Sequence, residues 1–286
     1  MPLETLTTIP ELRERLRPAR RAGKSVGLVP TMGYLHRGHA ALVDRARADN
    51  DVVVTSVFVN PLQFGPNEDF ARYPRDLDAD RRLLAAHGAD IVFAPSVEEM
   101  YPRPIVTHVE VESLSGRMEG ERRPGHFRGV ATVVGKLFNI AQPDRAYFGE
   151  KDYQQLQVIR RMVADLSFPL EIVGVPTVRD VDGVALSSRN VYLSPAERAA
   201  APVLGRSLAA AADAIAAGAV DPRDIEAAIR RVLAAEPLAE PDLVAVAAAD
   251  TLEPVDPKAP PPAIALMIAV RIGHTRLIDQ RVVAVP

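Results

Sequence analysis

The sequence predicts an α/β fold, a Rossmann-like doubly wound parallel sheet domain followed by a smaller α+β domain with antiparallel strands. Short β-branched runs alternate with helical patterns up to about residue 180, as in right-handed βαβ units. Alanine-rich helices and longer apolar strands then replace this alternation. A length of 286 residues suits two domains at ~150 residues each. We place the domains at residues 1–182 and 183–286.

The first domain is predicted from the order of its helix and strand signals. Thr8 and Pro10 are typical of a helix start, and Gly23 is typical of the residue after a helix end. Apolar runs of strand length predict the sheet, and residues at helical spacing predict the connections. The predicted strands are Val26–Val29, Val52–Val59, Ile91–Phe93, Arg145–Phe148 and Leu170–Val175, and the later helices are Gly38–Ala48, Asp76–His87, Phe127–Ala141 and Asp152–Leu166.

The second domain begins with a strong helix signal. Ser194 and Glu197 form a capping-box pattern with Pro195 at the first helical position, so we expect one helix to about Gly218. A second helix begins at Asp221-Pro222. Three antiparallel strands are predicted after it, at Leu243–Ala249, Ile264–Val270 and Arg276–Val283.

Composition excludes several classes of protein. The hydrophobic fraction of 48% and charged fraction of 25% are those of a globular chain. The absence of cysteine excludes disulfides, thiolate catalysis and cysteine-ligated metal centres. A net charge of −3 argues against a nucleic-acid partner. The amino terminus has no signal-peptide pattern and the longest apolar run, Pro260–Val270, is too short to span a membrane, so we expect a cytoplasmic protein with no membrane partner.

The densest chemical signal lies between the first predicted strand and the helix after it. Pro30 and Gly33 end the strand, and Gly38 leaves room for a ligand beside the backbone. His36 and His39 stand at the helix start, where free N–H groups and the helix dipole favour an anion. Imidazole donors there would stabilise charge building on a phosphate. The alternative is structural: both histidines cap the helix or pair with carboxylates.

Two further segments carry positive charge. Lys151 follows Gly149 at a strand end and opens a helix, where open α/β sheets bind ligands. Its alternative is an ordinary solvated lysine. The segment Ser187-Ser188-Arg189 offers two hydroxyls and a guanidinium after the Asp182-Gly183 turn. Taken alone, that segment is more typical of an ordinary turn.

These motifs together resemble a known family. His36-Arg-Gly-His39 resembles the HxGH signature of the nucleotidyltransferase superfamily, which class I aminoacyl-tRNA synthetases share. The longer string from Pro30 to His39 is similar to the pantothenate synthetase family, the pantoate–β-alanine ligases. Three more segments match that family in the same order, Phe58–Gly65, Tyr147–Gln155 and Leu186–Asn190.

The resemblance implies a two-step reaction. ATP adenylates the carboxylate of (R)-pantoate and pyrophosphate leaves; the amine of β-alanine then attacks the pantoyl adenylate, giving pantothenate and AMP. It further implies ATP as a substrate, Mg²⁺, and a homodimer. The first domain is expected to bind the nucleotide and pantoate, and the second to cover the site.

The resemblance also assigns residues to roles. The catalytic candidates are His36, His39, Lys151 and Arg189. The ATP-binding positions are Pro30, Thr31, Met32, Gly33, His36, Gly38, His39, Gly149, Lys151, Asp152, Val178, Leu186, Ser187, Ser188 and Arg189. Family members often have methionine at position 186, a volume-conserving difference. The pantoate and β-alanine candidates are Gln63, Gln155, Asn60 and Tyr73.

Three positions stay open at this level. Asp80 is the candidate metal ligand, since phosphate-bound Mg²⁺ needs only one or two carboxylates, but the stretch Asp76–Asp80 equally resembles an acid-rich helix start. His126 and Arg128 begin a helix near the expected site without an assigned role.

Two other functions compete with the ligase. One is a nucleotidyltransferase of the same superfamily acting on another small substrate, whose product would retain the nucleotide. The other is a nucleotide-binding regulator without turnover, which the combination of His36, His39, Lys151 and Arg189 argues against.

Overall fold

The computed structural model describes residues 3–66, 68 and 70–286. Its strands are β1 Glu4–Leu6, β2 Val26–Thr31, β3 Val52–Val57, β4 Ile91–Phe93, β5 Arg145–Gly149, β6 Glu171–Val175, β7 Ala239–Ala248, β8 Ala263–Ile272 and β9 Thr275–Ala284. Its α-helices are α1 Ile9–Arg21, α2 Arg37–Asp49, α3 Leu77–Ala86, α4 Val97–Met100, α5 Glu119–Arg122, α6 His126–Ala141, α7 Tyr153–Asp165, α8 Pro195–Ala200, α9 Val203–Ala216 and α10 Pro222–Ala234. The predicted α/β class is confirmed.

Six strands form one parallel sheet in the order β1-β4-β3-β2-β5-β6. The strand order reverses between β2 and β5, which is where ligands of open α/β sheets bind. β2 pairs with β3 as far as Thr31, opposite Val57, but pairs with β5 only at Gly27 and Leu28. β2 and β5 therefore pair only near their amino ends, and their carboxyl ends are not paired with each other at the reversal point.

The parallel sheet is stable because its strands are apolar on both faces. Val29, Val53 and Val92, from three neighbouring strands, are all buried in one cluster. Leu42 and Val43 of α2 belong to the same cluster, so α2 covers this face. Burial on both faces explains the near-continuous β-branched runs seen in the sequence. The cluster fixes the turn between β2 and α2, where the histidine motif lies.

The described chain divides into two compact units, and the division differs from the predicted one. The first unit is Met1–Gly149 with Val158–Pro176, and the second is Glu150–Gln157 with Thr177–Pro286. The predicted boundary at residues 182 and 183 lies inside the second unit. The short segment after β5 belongs to the second unit because Tyr153 donates its hydroxyl hydrogen to the carbonyl of Ala249, at 2.9 Å.

The second unit contains the antiparallel sheet β7-β8-β9. Its core includes Leu208 of α9, Ile229 of α10 and Ile268 of β8. The second unit also contains a bidentate ion pair, in which the Arg179 guanidinium donates to both carboxylate oxygens of the buried Asp279, at 2.7 and 2.8 Å.

The expected single helix from Pro195 to Gly218 is wrong in one respect. The chain forms two helices, α8 and α9, with Pro202 at the junction. Proline has no N–H to donate into the helix ladder, which explains the break. Among described residues, Pro195–Ala216 also has the length and apolar composition of a membrane span, and part of it is buried. Core helices of globular proteins meet the same criteria, so the stretch alone does not indicate a span.

Candidate active site

The turn after β2 is held by an unusually complete set of hydrogen bonds. Thr31 Oγ1 donates to the Ser56 carbonyl at 2.7 Å and accepts from the Gly33 N–H at 3.2 Å. The next two N–H groups, of Tyr34 and Leu35, donate to the two carboxylate oxygens of Asp80, at 3.0 and 2.7 Å. The backbone of the predicted nucleotide-binding turn is therefore fixed without a ligand.

Gly33 is the position where this turn tolerates no side chain. Its φ is +83°, in the left-handed region that favours glycine. A Cβ there would lie 2.9 Å from Val57 Cγ1 and 3.0 Å from Asp80 Oδ2. The sequence indicated a strand break at Gly33, and the structure shows that close packing also requires the glycine.

His36 and His39 form a capping box at the start of α2. His36 Nδ1 accepts from the Gly38 N–H at 3.1 Å, and His39 Nδ1 accepts from the His36 N–H at 3.2 Å. The two rings lie with their centroids 4.2 Å apart. A backbone N–H can only donate, so both Nδ1 atoms are unprotonated and each Nε2 carries the hydrogen. Both imidazoles are thus set as Nε2–H donors.

This geometry modifies the expectation drawn from the helix start. Free N–H groups were expected there, but the Gly38 N–H donates to His36 Nδ1 and the His39 N–H donates to the His36 carbonyl, at 2.8 Å. The structural alternative, in which both histidines cap the helix, is therefore correct for their Nδ1 atoms. The bonds of the Gly38 and His39 N–H groups leave the imidazole Nε2–H groups as the side-chain donors of this motif.

Asp80 is 2% exposed, and its carboxylate anchors the turn. Burial raises the pKa of Asp80 above its ordinary value, and the hydrogen bonds from Leu35 and Tyr34 work in the opposite direction. No group of three or more His, Asp or Glu side chains suited to a metal ion occurs among the described residues. These residues do not make a metal cage. The chemistry of Asp80 fits only a smaller role, as a single protein carboxylate next to a Mg²⁺ ion that is bound by phosphate.

Gln63 is placed beside the nucleotide-binding turn. It ends the 3₁₀ turn Pro61–Gln63 that follows β3, and it is 9% exposed. Its Oε1 accepts from Asn60 Nδ2 at 3.1 Å, and its Nε2 donates to Met32 Sδ at 3.2 Å. Two candidates assigned to different ligands, Met32 for ATP and Gln63 for pantoate, are thus in direct contact.

Asn60 and Tyr73 are less available to a ligand than expected. Asn60 is 1% exposed, and its amide also donates to the Gly129 carbonyl at 3.2 Å and accepts from the Leu62 N–H at 3.3 Å. The Tyr73 ring is buried edge-on against Phe64, with centroids 6.0 Å apart. The structure therefore gives Asn60 a scaffolding role behind Gln63.

The start of α6 holds the backbone of Gln63, a role that the sequence left unassigned. His126 Nδ1 donates to the Gln63 carbonyl at 2.9 Å, and Arg123 donates to the same carbonyl at 3.4 Å. His126 Nε2 accepts from Arg123 Nη1 at 3.1 Å. Arg123 is itself fixed by two hydrogen bonds to the Glu68 carboxylate, at 2.8 and 2.6 Å. Arg123 and Glu68 were not among the predicted site residues.

Gly129 brings α6 into contact with this 3₁₀ turn. A Cβ at Gly129 would lie 2.2 Å from the Leu62 carbonyl oxygen and 2.7 Å from Gln63 Cα. No L side chain fits that space without moving the turn. The repeated glycine in Gly125-His-Phe-Arg-Gly129 was the available sequence signal for this contact.

The second unit carries the remaining candidates. Lys151 lies in the 3₁₀ turn Glu150–Asp152 directly after β5, and its side chain is 16% exposed. That burial excludes the ordinary solvated lysine. Its ammonium lies 3.9 Å from the Asp152 carboxylate. Gln155 is half-buried in the first turn of α7.

A short hairpin positions the other residues of this unit. The Leu186 N–H donates to the Val178 carbonyl at 3.0 Å, and Arg179 bridges to Ala185. Ser187 then caps the 3₁₀ turn Ser188–Tyr192, with its Oγ accepting from the Arg189 N–H at 3.3 Å. The hairpin therefore places Leu186 beside Val178, and the other ATP candidates of this segment, Ser187, Ser188 and Arg189, follow Leu186 directly in the chain.

The candidates therefore fall into two groups, each described within one unit. The first unit holds Pro30, Thr31, Met32, Gly33, His36, Gly38, His39, Asn60, Gln63, Tyr73, Asp80 and Gly149. The second holds Lys151, Asp152, Gln155, Val178, Leu186, Ser187, Ser188 and Arg189.

Comparisons with known proteins give one consistent result. The sequence profile of the family described as Pantoate-beta-alanine ligase matches residues 4–282. A pantothenate synthetase from Sinorhizobium medicae is 59% identical over 282 residues, covering 99% of this chain and 97% of its own. The crystal structure of pantothenate synthetase from Thermus thermophilus has a TM-score of 0.91 at 54% identity, covering 97% of this chain and 98% of its own. A pantoate-beta-alanine ligase from Francisella tularensis, solved with beta-gamma ATP and beta-alanine, has a TM-score of 0.77 at 32% identity, covering 98% and 97%.

Proposed function

The chain belongs to the pantoate–β-alanine ligase family, and we propose how its own residues carry out the reaction of that family. The reaction is the ATP-dependent condensation of (R)-pantoate with β-alanine through a pantoyl adenylate, with release of pyrophosphate and AMP. Family membership favours this reaction over the nucleotidyltransferase and the inactive regulator that the sequence also allowed.

In the first step a pantoate carboxylate oxygen attacks the α-phosphorus of ATP, and the bond from that phosphorus to the bridging oxygen of pyrophosphate breaks. Negative charge builds on the phosphate oxygens, so donors set in place before the reaction lower the barrier. We assign this role to the Nε2–H groups of His36 and His39. The observation that carries the assignment is that both Nδ1 atoms accept backbone N–H groups, which sets both rings as Nε2–H donors.

Lys151 and the segment Ser187–Arg189 are proposed to supply positive charge to ATP. The Lys151 ammonium can follow charge on the triphosphate as pyrophosphate departs. Ser187, Ser188 and Arg189 add two hydroxyls and a guanidinium, which bind phosphate oxygens well. We assign Gly149, Asp152, Val178 and Leu186 to contacts with the nucleotide, as the family resemblance implies.

Pantoate is proposed to bind through amides. Gln63 and Gln155 can hydrogen-bond a hydroxy acid without adding a further negative charge beside its carboxylate. In the second step the β-alanine nitrogen attacks the acyl carbon, AMP leaves with the electrons of the anhydride bond, and the nitrogen loses a proton. No covalent link to the protein is needed, so positioning and charge stabilisation carry the catalysis.

The decisive test is exchange of labelled pyrophosphate into ATP without β-alanine. Exchange that requires pantoate is expected, because the first step is complete and reversible before the amine enters. The free nucleotide product identifies the second step: AMP should appear only when β-alanine is added. Exchange that is independent of pantoate would contradict the proposed order.

Three finer properties are part of the proposal. Mg²⁺ is proposed to enter as its complex with ATP, with Asp80 as a protein carboxylate near it. A chelator should therefore abolish pyrophosphate exchange, and added Mg²⁺ should restore it.

A homodimer is proposed on the family resemblance, and analytical sedimentation should show it. A cytoplasmic location is checked by cell fractionation.

A further inference from the structure

A chain of hydrogen bonds reaches Gln63 from a tyrosine that no site assignment includes. The Tyr101 hydroxyl donates to Asn60 Oδ1 at 2.8 Å. Asn60 Nδ2 donates to Gln63 Oε1, and Gln63 Nε2 donates to Met32 Sδ. Tyr101 follows α4, whereas Asn60 follows β3, so the contact joins two separate segments of the first unit.

The direction of every bond in this chain is determined. The Leu62 N–H can only donate, so the Asn60 atom that it contacts must be the amide oxygen. The Gly129 carbonyl can only accept, so the Asn60 atom on that side must be the NH₂ group. Asn60 then presents a donor to Gln63, whose own oxygen must face Asn60.

The consequence concerns what Gln63 offers to a ligand. Its oxygen is turned toward Asn60, and its NH₂ group is turned toward Met32 and the nucleotide-binding turn. An amide that could rotate freely would present either end. Here the side facing the predicted site is an N–H donor, which matches a carboxylate or hydroxyl oxygen of pantoate.

Tyr101 reinforces this orientation, because its hydroxyl donates to the same Asn60 oxygen that accepts from the Leu62 N–H. Tyr101 is half-buried, and burial raises the pKa of its hydroxyl above the ordinary value, so the hydroxyl keeps its hydrogen through the neutral range. The ring lies 6.0 Å from the Phe58 ring, and the Lys136 ammonium lies 5.6 Å from the Tyr101 ring centroid. Removing the hydroxyl alone therefore leaves the packing of the ring in place.

We propose that Tyr101 is a positioning residue for the ligase reaction: acting through Asn60, it fixes the Gln63 amide with its N–H toward an oxygen of pantoate. This inference rests on the proposed role of Gln63 in binding pantoate. Tyr101 itself has no contact with substrate in this assignment.

The test is a double-mutant cycle on the KM for pantoate at saturating ATP and β-alanine. Tyr101→Phe should raise this KM about three- to tenfold, the effect of one lost buried hydrogen bond, and should leave the KM for ATP unchanged. Gln63→Ala should raise the pantoate KM further. The double variant should equal Gln63→Ala alone, because the tyrosine acts only through the amide.

Tyr147→Phe is the matched control. Tyr147 is also a buried tyrosine of the first unit, with its hydroxyl bonded to Asn50 and Asp49, and the structure describes no bond from it to Gln63. It should lower thermal stability without changing the pantoate KM. If the effects of Tyr101→Phe and Gln63→Ala on the pantoate KM multiply in the double variant, the positioning role of Tyr101 is wrong. The proposed role of Gln63 would still stand in that case. A normal pantoate KM in Gln63→Ala would overturn the proposed role of Gln63 and, with it, this inference.

Discussion

The Nδ1 atom of His39 accepts a hydrogen bond from the backbone N–H of His36, at 3.2 Å. One imidazole can therefore serve two separate functions, because Nδ1 closes the capping box and Nε2–H is left for the proposed donation to phosphate. The two functions can be separated by substitution, since the side chains of asparagine and glutamine reach about as far as Nδ1 and Nε2 respectively.

His39→Asn is expected to retain the capping bond and lose the distal donor. Pantoate-dependent pyrophosphate exchange should fall on the order of a hundredfold, the usual loss for one oxyanion donor, with little change in melting temperature. His39→Gln should show the reverse pattern, with more exchange activity retained and up to ~1 kcal/mol of cap stabilisation lost. Near-normal exchange by His39→Asn would remove His39 from the proposed mechanism.

Lys151→Met is expected to lower the exchange rate about a hundredfold, because the ammonium no longer follows charge on the triphosphate. The methionine keeps much of the apolar stem of a side chain that is 16% exposed. Lys258→Met is the control, since Lys258 is an exposed lysine of the same unit. Equal activity in the two variants would show that Lys151 has no special role.

Gly129→Ala is expected to raise the KM for pantoate and lower the melting temperature, since the new Cβ would displace Leu62 and Gln63. Gly135→Ala lies in the same helix, but its Cβ would meet nothing closer than 3.8 Å. That control should be neutral or stabilising by roughly 0.5–1 kcal/mol. Calorimetry measures the melting temperature of both variants, and steady-state kinetics measures their KM for pantoate. Equal values for the two variants would contradict the prediction.

The Glu68–Arg123 pair predicts a pH dependence of stability. Burial alone raises the pKa of Glu68, but the hydrogen bonds and charge of Arg123 bring it below its ordinary value of 4.5. A lowered carboxyl pKa contributes stability that is present above pH 4.5 and is lost as pH falls through the folded-state value. Wild type should therefore melt above Glu68→Gln at pH 7, and the gap should close below pH 4.5. A gap that persists in acid would show that the charge of Glu68 is unimportant.

Local signals predicted most of the fold. The β-branched runs marked β2, β3 and β4 because a parallel strand buried on both faces needs apolar residues throughout. The break at Pro202 was missed because alanine-rich sequence continues on both sides of the proline. β1 was also missed, because three residues are too few to show a period.

The candidate site was predicted only where a motif is contiguous. The histidine turn, Gln63 and Lys151 each lie within such a string. Tyr101 and Arg123 lie 38 and 60 residues beyond Gln63, and their importance depends on tertiary contacts. A hydrogen bond between distant segments leaves no local pattern. The capping role of His36 and His39 was available as an alternative, but only the geometry shows that capping uses Nδ1 and leaves the Nε2–H groups for another partner.

The capping box has a practical consequence for engineering this chain. The groups that select the tautomer of His36 and His39 are main-chain amides, which neither titrate nor respond to ionic strength as a carboxylate partner would. Replacing surface charges to improve solubility or to alter adsorption should therefore leave the hydrogen on the distal nitrogen of each ring. We therefore expect the ring tautomers of His36 and His39 to be insensitive to a redesigned exterior.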